Sequence, residues 1–231
     1  MRTKSLQPRV SFRRNEMIAI IDYGVGNLFS LTASLNYLGA ETKVTSDAAD
    51  LEAADKIILP GVGAFEDAIK KLEGTGLIDT IREQIAAGKP MLGICLGMQL
   101  LFEESHEYGI YKGLGLVKGK VVSIDEDLKA AGRQIYVSPA GEETLKVPHI
   151  GWNALSFKED EPLFKYINQG DCVYYVHSFY GRDCSESTIA TSEYGITITG
   201  AVRSGNVYGT QFHPEKSGQT GLNILRAFID M

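Results

Sequence analysis

Cysteine is scarce in this sequence: the 231 residues include only three, Cys95, Cys172 and Cys184. An odd number of cysteines without paired spacing argues against a disulfide framework and suits a reducing cytosol. No group of Cys and His residues has the spacing of a zinc site, so we predict no metal and no other cofactor. The expected location of the protein is therefore cytoplasmic.

Two further classes of protein are excluded by what the chain lacks. No apolar run reaches the ~18 residues that a membrane-spanning helix needs, so no membrane partner is expected. The chain has 23 basic and 29 acidic residues, a net charge of −6, and therefore lacks the basic excess typical of nucleic acid binding. Its length and its 44% hydrophobic residues are those of one globular domain with a full core.

The first 16 residues differ in charge from the rest of the chain. Five arginines and lysines are opposed by one acid, Glu16, which makes a local net charge of +4. The stretch lacks the apolar core of a secretory signal. A transit peptide is one interpretation of this Arg-rich start, but a disordered tail or an extension is favoured because Met17 opens directly into an apolar run. We therefore treat residues 1–16 as an extension and 17–231 as the folded domain.

Short apolar runs alternate with helical patterns in the first half of the chain. The run that starts at Met17 is typical of a strand buried on both faces. Leucines at helical spacing follow, and Gly39 marks the end of that helix. This alternation predicts βαβ units and a mostly parallel sheet, with functional residues at the carboxyl ends of its strands. The predicted strands are 17–22, 41–46, 56–60 and 91–94, and the predicted helices are 28–38, 64–72 and 77–87.

The second half of the chain consists mainly of short β segments separated by turns. These segments are 116–124, 147–157, 171–176, 187–194, 197–203 and 206–212, and a final helix is predicted at 217–229. Residues 125–146 are polar, with Gly, Pro and mixed charges, and predict a long hairpin or loop. The predicted fold class is α/β, with a mostly parallel central sheet flanked by helices and an antiparallel β portion in the second half.

The stretch Gly93-Ile94-Cys95-Leu96-Gly97 has the pattern of a nucleophile elbow. A strand ends at Ile94, the chain turns at Cys95, and a helix begins near Leu96. A sulfur at a helix N-terminus is favoured as thiolate, and the Leu96 N–H is placed to receive an oxyanion. The alternative is a buried cysteine on a core strand, because free cysteines are often buried.

A thiol nucleophile needs a base, and four histidines are available. His213 follows a predicted strand and has a carboxylate neighbour, Glu215, two residues on, so it is our first choice. A surface turn is the alternative for this His-Pro-Glu segment. His177 also follows an apolar strand but lacks a nearby acid and ranks second, while His149 opens a loop and His106 lies in a charged run.

Three motifs in register resemble the class I (triad) glutamine amidotransferases. They are Pro60-Gly-Val-Gly63, Gly93-Ile-Cys-Leu-Gly-Met-Gln99 and Gln211-Phe-His-Pro-Glu-Lys216, and the resemblance covers essentially all of residues 17–231. Three further segments, 21–28, 148–153 and 174–179, resemble one branch of this family. Its members are glutaminase subunits that act with a (β/α)8-barrel cyclase making imidazole glycerol phosphate in histidine biosynthesis.

The resemblance implies a role for each matched residue. Cys95 would attack the amide of glutamine, His213 would act as base and then acid, and Glu215 would hold the His213 ring. The oxyanion hole would be formed by the Leu96 N–H and the Val62–Gly63 peptide, the latter after a peptide flip. The substrate glutamine would be held by four residues: Gln99, Glu107, Ser178 and Phe179.

The resemblance also implies a heterodimer with the cyclase subunit, to which ammonia would pass through a channel. Trp152, Tyr174 and Lys216 match family positions at that interface. Residues 125–146 are longer than the family pattern, which leaves the local geometry of the interface open. Three alternatives remain: a glutaminase feeding another synthase such as that of pyridoxal phosphate, a stand-alone Cys hydrolase, and a non-catalytic binding protein.

Overall fold

The computed structural model describes residues 16–138 and 141–231. The predicted extension over residues 1–16 lies outside the described residues except for Glu16, which pairs with Lys56. The strands are β1 Met17–Ile21, β2 Glu41–Thr45, β3 Lys56–Leu59, β4 Met91–Ile94, β5 Phe102–Ser105, β6 Tyr111–Lys112, β7 Val117–Ser123, β8 Ile135–Ser138, β9 Gly141–Thr144, β10 His149–Ala154, β11 Ser156–Phe157, β12 Cys172–His177, β13 Phe179–Arg182, β14 Thr188–Glu193, β15 Thr197–Ser204 and β16 Val207–Thr210. The helices are α1 Leu28–Tyr37, α2 Ala48–Ala53, α3 Phe65–Gly74, α4 Ile78–Ala86, α5 Leu96–Leu100, α6 Ile124–Ala130 and α7 Gly218–Ile229, with 3-10 turns at Pro162–Phe164 and Pro214–Lys216.

An eight-stranded central sheet has the order β11-β14-β15-β16-β4-β3-β1-β2. The five strands from β16 to β2 are parallel, and β15, β14 and β11 extend the sheet in antiparallel pairing. The predicted α/β class with an antiparallel portion from the second half of the chain is confirmed. A four-stranded sheet, β13-β7-β5-β6, and the pairs β10–β12 and β8–β9 complete the β structure.

Helices cover both faces of the central sheet, which explains why its inner strands are continuously apolar. Within β3, Ile57 and Leu59 pack into the cluster that contains the buried residues of α2, α3 and α4. Ile58 points to the opposite face, into the cluster built from α1 and α7. No helix in the described ranges is long and apolar enough to cross a membrane.

The prediction of a hairpin or loop over 125–146 is wrong for its first part. Residues Ile124–Ala130 form α6, which begins after Ser123, whose hydroxyl accepts a hydrogen bond from the Glu126 N–H at 3.4 Å. Ile124 and Leu128 lie one turn apart and are both buried, so the helix is fastened by two apolar residues within a polar segment. The predicted hairpin is present further on, as β8 and β9.

Candidate active site

Cys95 lies at a sharp turn between β4 and α5, with a φ of +55° and a ψ of −110°. Its N–H donates to the Thr210 carbonyl at 2.7 Å, and its own carbonyl accepts from the Gln99 N–H at 3.1 Å. A non-glycine residue in this region of φ carries backbone strain of about 1–3 kcal/mol, which persists only where the surroundings impose it. The predicted helix begins at Leu96 and is short, because it ends at Leu100 and β5 begins at Phe102.

The two glycines of the Gly-x-Cys-x-Gly motif are required by close backbone packing. A Cβ at Gly97 would lie 1.8 Å from the Leu59 carbonyl oxygen, and a Cβ at Gly93 would lie 2.7 Å from the Gly97 carbonyl oxygen. A Cβ at Gly61 would likewise come within 2.8 Å of the Gly97 nitrogen. The turn at Cys95 and the end of β3 therefore press directly against each other, which holds the strained residue in place.

The strain at Cys95 predicts an unusual ranking of two variants. Cys95→Gly is expected to be more stable than Cys95→Ala by about 1 kcal/mol, because glycine relieves the backbone strain while alanine keeps it. Chemical denaturation of both variants measures the difference, and Ala68→Gly in α3, where glycine is expected to cost about 1 kcal/mol, is the control. An alanine variant that is the more stable of the two would contradict a strained turn.

The turn that contains His213 leaves the sheet next to Cys95. β16 pairs with β4 in parallel, with Thr210 in register with Ile94, so both turns emerge at the same edge. The His213 Nδ1 lies 2.8 Å from Glu215 Oε1, and both side chains are almost fully buried. The His213 Nε2 and the Glu215 Oε2 have no hydrogen-bonded nitrogen or oxygen within the described part of the chain. The Nδ1 contact orients the ring and leaves Nε2 available.

Two opposing effects set the charge of His213. Burial lowers its pKa. The hydrogen bonds and charges of Cys95 and Glu215 raise it by more than burial lowers it, so that the pKa of His213 is about 10. The ring is therefore protonated at neutral pH beside the Cys95 sulfur. Cys95 is 7% exposed, so it borders the apolar core and still has a small accessible surface. This arrangement places a cationic ring and a slightly accessible sulfur together at the rim of the sheet.

Val62 and Gly63 form an exposed loop after β3. Gly63 has a φ of +107°, a backbone conformation that favours glycine, and a Cβ built on it would meet nothing within 4 Å. The base of this loop is fastened by the Tyr23 hydroxyl, which donates to the Pro60 carbonyl at 2.7 Å. Leu96 is the first residue of α5, where N–H groups lack carbonyl partners within the helix.

The residues predicted to hold glutamine already make bonds within the protein. The Gln99 Nε2 donates to the Phe179 carbonyl and to the Gln211 Oε1, both at 3.0 Å, which leaves its Oε1 for a ligand. Glu107 accepts from the Phe65 N–H at 2.7 Å, and burial raises its pKa, an effect that this hydrogen bond partly offsets. The Ser178 carbonyl accepts from the N–H that opens α6. The structure connects Gln99 with Phe179, and the roles of all four residues stay predictions.

The three predicted interface residues lie beside the His213 turn. Trp152 is 57% exposed and stands opposite Tyr174 in the β10–β12 pair, with ring centroids 6.0 Å apart. Lys216 is exposed at the end of the 3-10 turn that follows His213. Sequence reasoning missed Ile150, which is 59% exposed on the same face of β10 as Trp152. The period-two alternation of β10 was the available signal.

His177, the second candidate base, is not free to act. Its Nδ1 donates to the Phe179 carbonyl at 2.8 Å, and because a carbonyl only accepts, its Nε2 must accept from the His149 Nδ1 at 3.0 Å. His149 is stacked between the rings of Tyr175 and Tyr194. Burial lowers the pKa of His177 to about 3 and that of His149 to about 4. This pair of histidines is buried and neutral.

The neutral pair predicts a loss of stability in mild acid. Unfolding lets both rings bind protons below pH ~6.5, whereas the folded protein binds them only near pH 3 to 4, so the free energy of unfolding falls as pH drops through this window. We expect a loss on the order of 4 kcal/mol between about pH 6.5 and pH 4.5, roughly 2 kcal/mol from each ring. His213 acts oppositely, because its raised pKa makes stability fall as pH rises from 6.5 towards 10.

Denaturant unfolding at several pH values measures this dependence. His149→Phe, which keeps an aromatic ring between the two tyrosines, is expected to flatten the acid side of the profile. The exposed His106, which bonds to Glu104 at 2.8 Å, offers His106→Phe as the matched control with an unchanged profile. An acid side that keeps its full slope in His149→Phe would contradict the assignment.

Metal ligation finds no support in the part of the chain that the structure covers. Residues 16–138 and 141–231 contain no group of three or more His, Cys, Asp or Glu side chains that could hold a metal ion. The three cysteines are free thiols: Cys95 and Cys184 are buried, and Cys172 is exposed.

Comparison with known proteins supplies the family. Residues 19–231 match the family model described as glutamine amidotransferase class-I. The imidazole glycerol phosphate synthase subunit HisH of Listeria monocytogenes is 48% identical over 93% of this chain and 96% of its own length. The HisH subunit of Caldanaerobacter subterraneus is 48% identical over 93% and 98% of the two chains. The solved structure of PurLQS from Thermotoga maritima has the same fold, with a TM-score of 0.69, 18% identity, and coverage of 94% and 98% of the two chains.

The two curated relatives match across nearly their whole length, and the family model spans the range that contains the turn at Cys95 and the His-Pro-Glu segment. The fold and the sequence lead to the same assignment. The chain belongs to the class I glutamine amidotransferases and, within that family, to the HisH subunits of imidazole glycerol phosphate synthase.

Proposed function

We propose that this protein hydrolyses the side-chain amide of glutamine with Cys95, His213 and Glu215 as its catalytic residues. The observation that carries the proposal is the strained, barely exposed Cys95 at the same strand edge as the His213–Glu215 pair. A strained residue is retained where function requires it. The raised pKa of His213 supports a protonated ring that is ready to donate to a leaving group.

The proposed reaction has two halves. In the first, the Cys95 thiolate attacks the amide carbon, and His213 gives its proton to the departing nitrogen, so that ammonia leaves and a glutamyl thioester remains. In the second, His213 takes a proton from water, whose oxygen attacks the thioester and releases glutamate and the thiolate. The Leu96 N–H and the Val62–Gly63 peptide would stabilise the oxyanion in both halves. The substrate would be held by Gln99, Glu107, Ser178 and Phe179.

The partner that we propose is a (β/α)8-barrel cyclase, with glutamine hydrolysis coupled to its reaction in a heterodimer. The exposed Trp152 and Ile150, with Tyr174 and Lys216, form a partly apolar face of the kind that protein partners cover. Ammonia would pass through this face to the cyclase, which makes imidazole glycerol phosphate. We place both subunits in the cytosol, where the three thiols remain reduced.

A direct connection between this face and the catalytic turn supports the coupling. The His213 N–H donates to the Tyr174 carbonyl at 3.0 Å, and the Tyr174 N–H donates to the Ser217 hydroxyl at 2.9 Å. The Ser217 hydroxyl in turn donates to the His213 carbonyl at 2.6 Å. A partner that contacts the Tyr174 side chain would therefore bind the residue whose backbone is hydrogen-bonded to the turn that contains His213.

The experiment is an assay of glutamate and ammonia release, with and without a candidate cyclase and its nucleotide ligand. We expect slow hydrolysis by the isolated protein and at least about tenfold faster hydrolysis in the complex, because the glycine loop at Val62–Gly63 is free to rest in an inactive conformation. Full activity without a partner would contradict the coupling. Activation by a different synthase subunit would reassign the partner.

A pair of variants tests the interface in the same assay. Trp152→Ala is expected to weaken cyclase binding by about 30-fold, the effect of losing an aromatic anchor of about 2 kcal/mol. Tyr37→Ala is the matched control, because Tyr37 is 79% exposed at the end of α1, which leads into the edge strand β2 and not into the β10–β12 pair. Equal affinities for both variants would place the cyclase elsewhere.

A further inference from the structure

We infer that Gln211 is a positioning residue for the nucleophile: its side-chain amide nitrogen faces the Cys95 sulfur, in an orientation imposed by Gln99 and the Phe179 carbonyl. The inference rests on the proposed role of Cys95. Gln211 lies two positions before His213, at the start of the His-Pro-Glu segment's turn, and is fully buried. Gln211 has no role in the two halves of the proposed reaction.

The orientation of the Gln99 amide follows from its first partner. The Phe179 backbone carbonyl can only accept a hydrogen bond, so the group that faces it at 3.0 Å must be the Gln99 nitrogen. The second hydrogen of that nitrogen points at the Gln211 side chain, also at 3.0 Å. The Gln211 amide must therefore present its oxygen to Gln99.

The orientation of Gln211 then has one consequence for the sulfur. With Oε1 turned to Gln99, the Gln211 Nε2 faces the Cys95 Sγ at a distance of 3.8 Å. The Gln211 backbone N–H donates to the Gly200 carbonyl at 2.8 Å, and the preceding Thr210 carbonyl accepts from the Cys95 N–H at 2.7 Å. The amide and the sulfur are thus held by the same three strands, β15, β16 and β4.

An N–H donor beside a sulfur favours the thiolate over the thiol, because the charged form is the stronger acceptor. Gln211 has no proton to give in the reaction, so it would orient and stabilise the nucleophile without exchanging protons. Gln99 is also a predicted contact of glutamine. The substrate pocket and the nucleophile therefore share one chain of amide groups that begins at the Phe179 carbonyl.

The test is the rate at which iodoacetamide alkylates Cys95 as pH is varied in the absence of glutamine, followed by mass spectrometry of the Cys95 peptide. Gln211→Met keeps the length of the side chain but removes its donor. We expect this variant to be alkylated at Cys95 roughly three- to tenfold more slowly near neutral pH, with the midpoint of the profile moved upward by about 0.5–1 unit. Glutamine turnover should fall in kcat by a similar factor, with KM changed less.

Two controls belong to this experiment. The exposed Cys172 is the internal reference, and its alkylation should not change. Gln219→Met alters an exposed glutamine of α7 and should leave Cys95 alkylation at the wild-type rate. Gln211→Glu, which turns an acceptor towards the sulfur, is expected to slow Cys95 alkylation more than Gln211→Met does.

A wild-type alkylation profile in Gln211→Met would overturn the inference. If that variant does not fold, Gln99→Glu provides the second test: its carboxylate cannot donate to Gln211, so the Gln211 amide turns its nitrogen to Glu and its oxygen to the sulfur, and Cys95 alkylation slows. An unchanged rate there overturns the inference as well. Alkylation needs no glutaminase activity, so a wild-type protein that fails to hydrolyse glutamine would count against the proposed function and not against Gln211.

Discussion

Cys95→Ala is expected to lower the rate of glutamine hydrolysis by at least about 10⁴-fold, because removal of the nucleophile leaves only binding and oxyanion contacts. The fold should survive the change, since alanine keeps the Cβ and the sulfur is the only atom lost from a site where Cys95 is 7% exposed. Glutamate release by the variant and by the wild-type protein, each in complex with the cyclase, measures the loss. Thermal unfolding of both proteins checks that the fold is retained.

Cys172→Ala is the matched control for the loss of a thiol. Cys172 opens β12 and is exposed, with a long contact of 3.9 Å to the Gly170 carbonyl as its one sulfur bond in the described structure. This variant is expected to hydrolyse glutamine at the wild-type rate. Turnover retained by Cys95→Ala would exclude a thioester route, whatever the control showed.

Glu215→Gln is expected to lower kcat by about 10²–10⁴-fold, although the side chain changes by only one atom. The Glu215 carboxylate accepts from the His213 Nδ1 at 2.8 Å, so it keeps the ring oriented with Nε2 free and stabilises its positive charge. An amide can meet Nδ1 with either its oxygen or its nitrogen, and it carries no charge. The pKa of His213 should fall in this variant, because the Glu215 charge and hydrogen bond are two of the effects that raise it.

The pH dependence of kcat separates this effect from simple damage to the fold. A variant that only loosens the turn would lose activity at all pH values alike, whereas the loss of the Glu215 charge moves the limb of the profile that reports His213. Glu161→Gln is the control: Glu161 is also buried and pairs with a cation, Arg203 at 3.4 Å, outside the site. A Glu215→Gln variant with the activity of this control would contradict the role of the carboxylate.

The central strands were predictable because a strand buried on both faces leaves a continuous apolar run, as in β1, β3 and β4. Two helices were missed for a common reason: each is held by too few apolar residues to show a period. α2 has six residues and one buried leucine, Leu51, and it begins where the Asp47 carboxylate accepts from the Ala49 N–H at 2.9 Å. α6 likewise begins at a side-chain cap within a polar segment.

In the site, too, residues in short motifs were predictable from the sequence, and contacts between distant segments were not. Cys95, His213 and Glu215 lie in short motifs whose residue types indicate a nucleophile, a base and an orienting carboxylate. The contact of Gln211 with Cys95 joins residues 116 positions apart and depends on which way the Gln99 amide is turned, so no spacing in the sequence reveals it. The exclusion of His177 as a base depends equally on a neighbour, His149, that only the β10–β12 register supplies.

The most direct test of the account is to stop the protein with acid during glutamine turnover in the cyclase complex and to weigh the peptide that contains Cys95. The account predicts a mass increase of one glutamyl group on that peptide and on no other cysteine peptide, lost on treatment with hydroxylamine. Steady release of glutamate without any adduct on Cys95, and at an unchanged rate in Cys95→Ala, would contradict it.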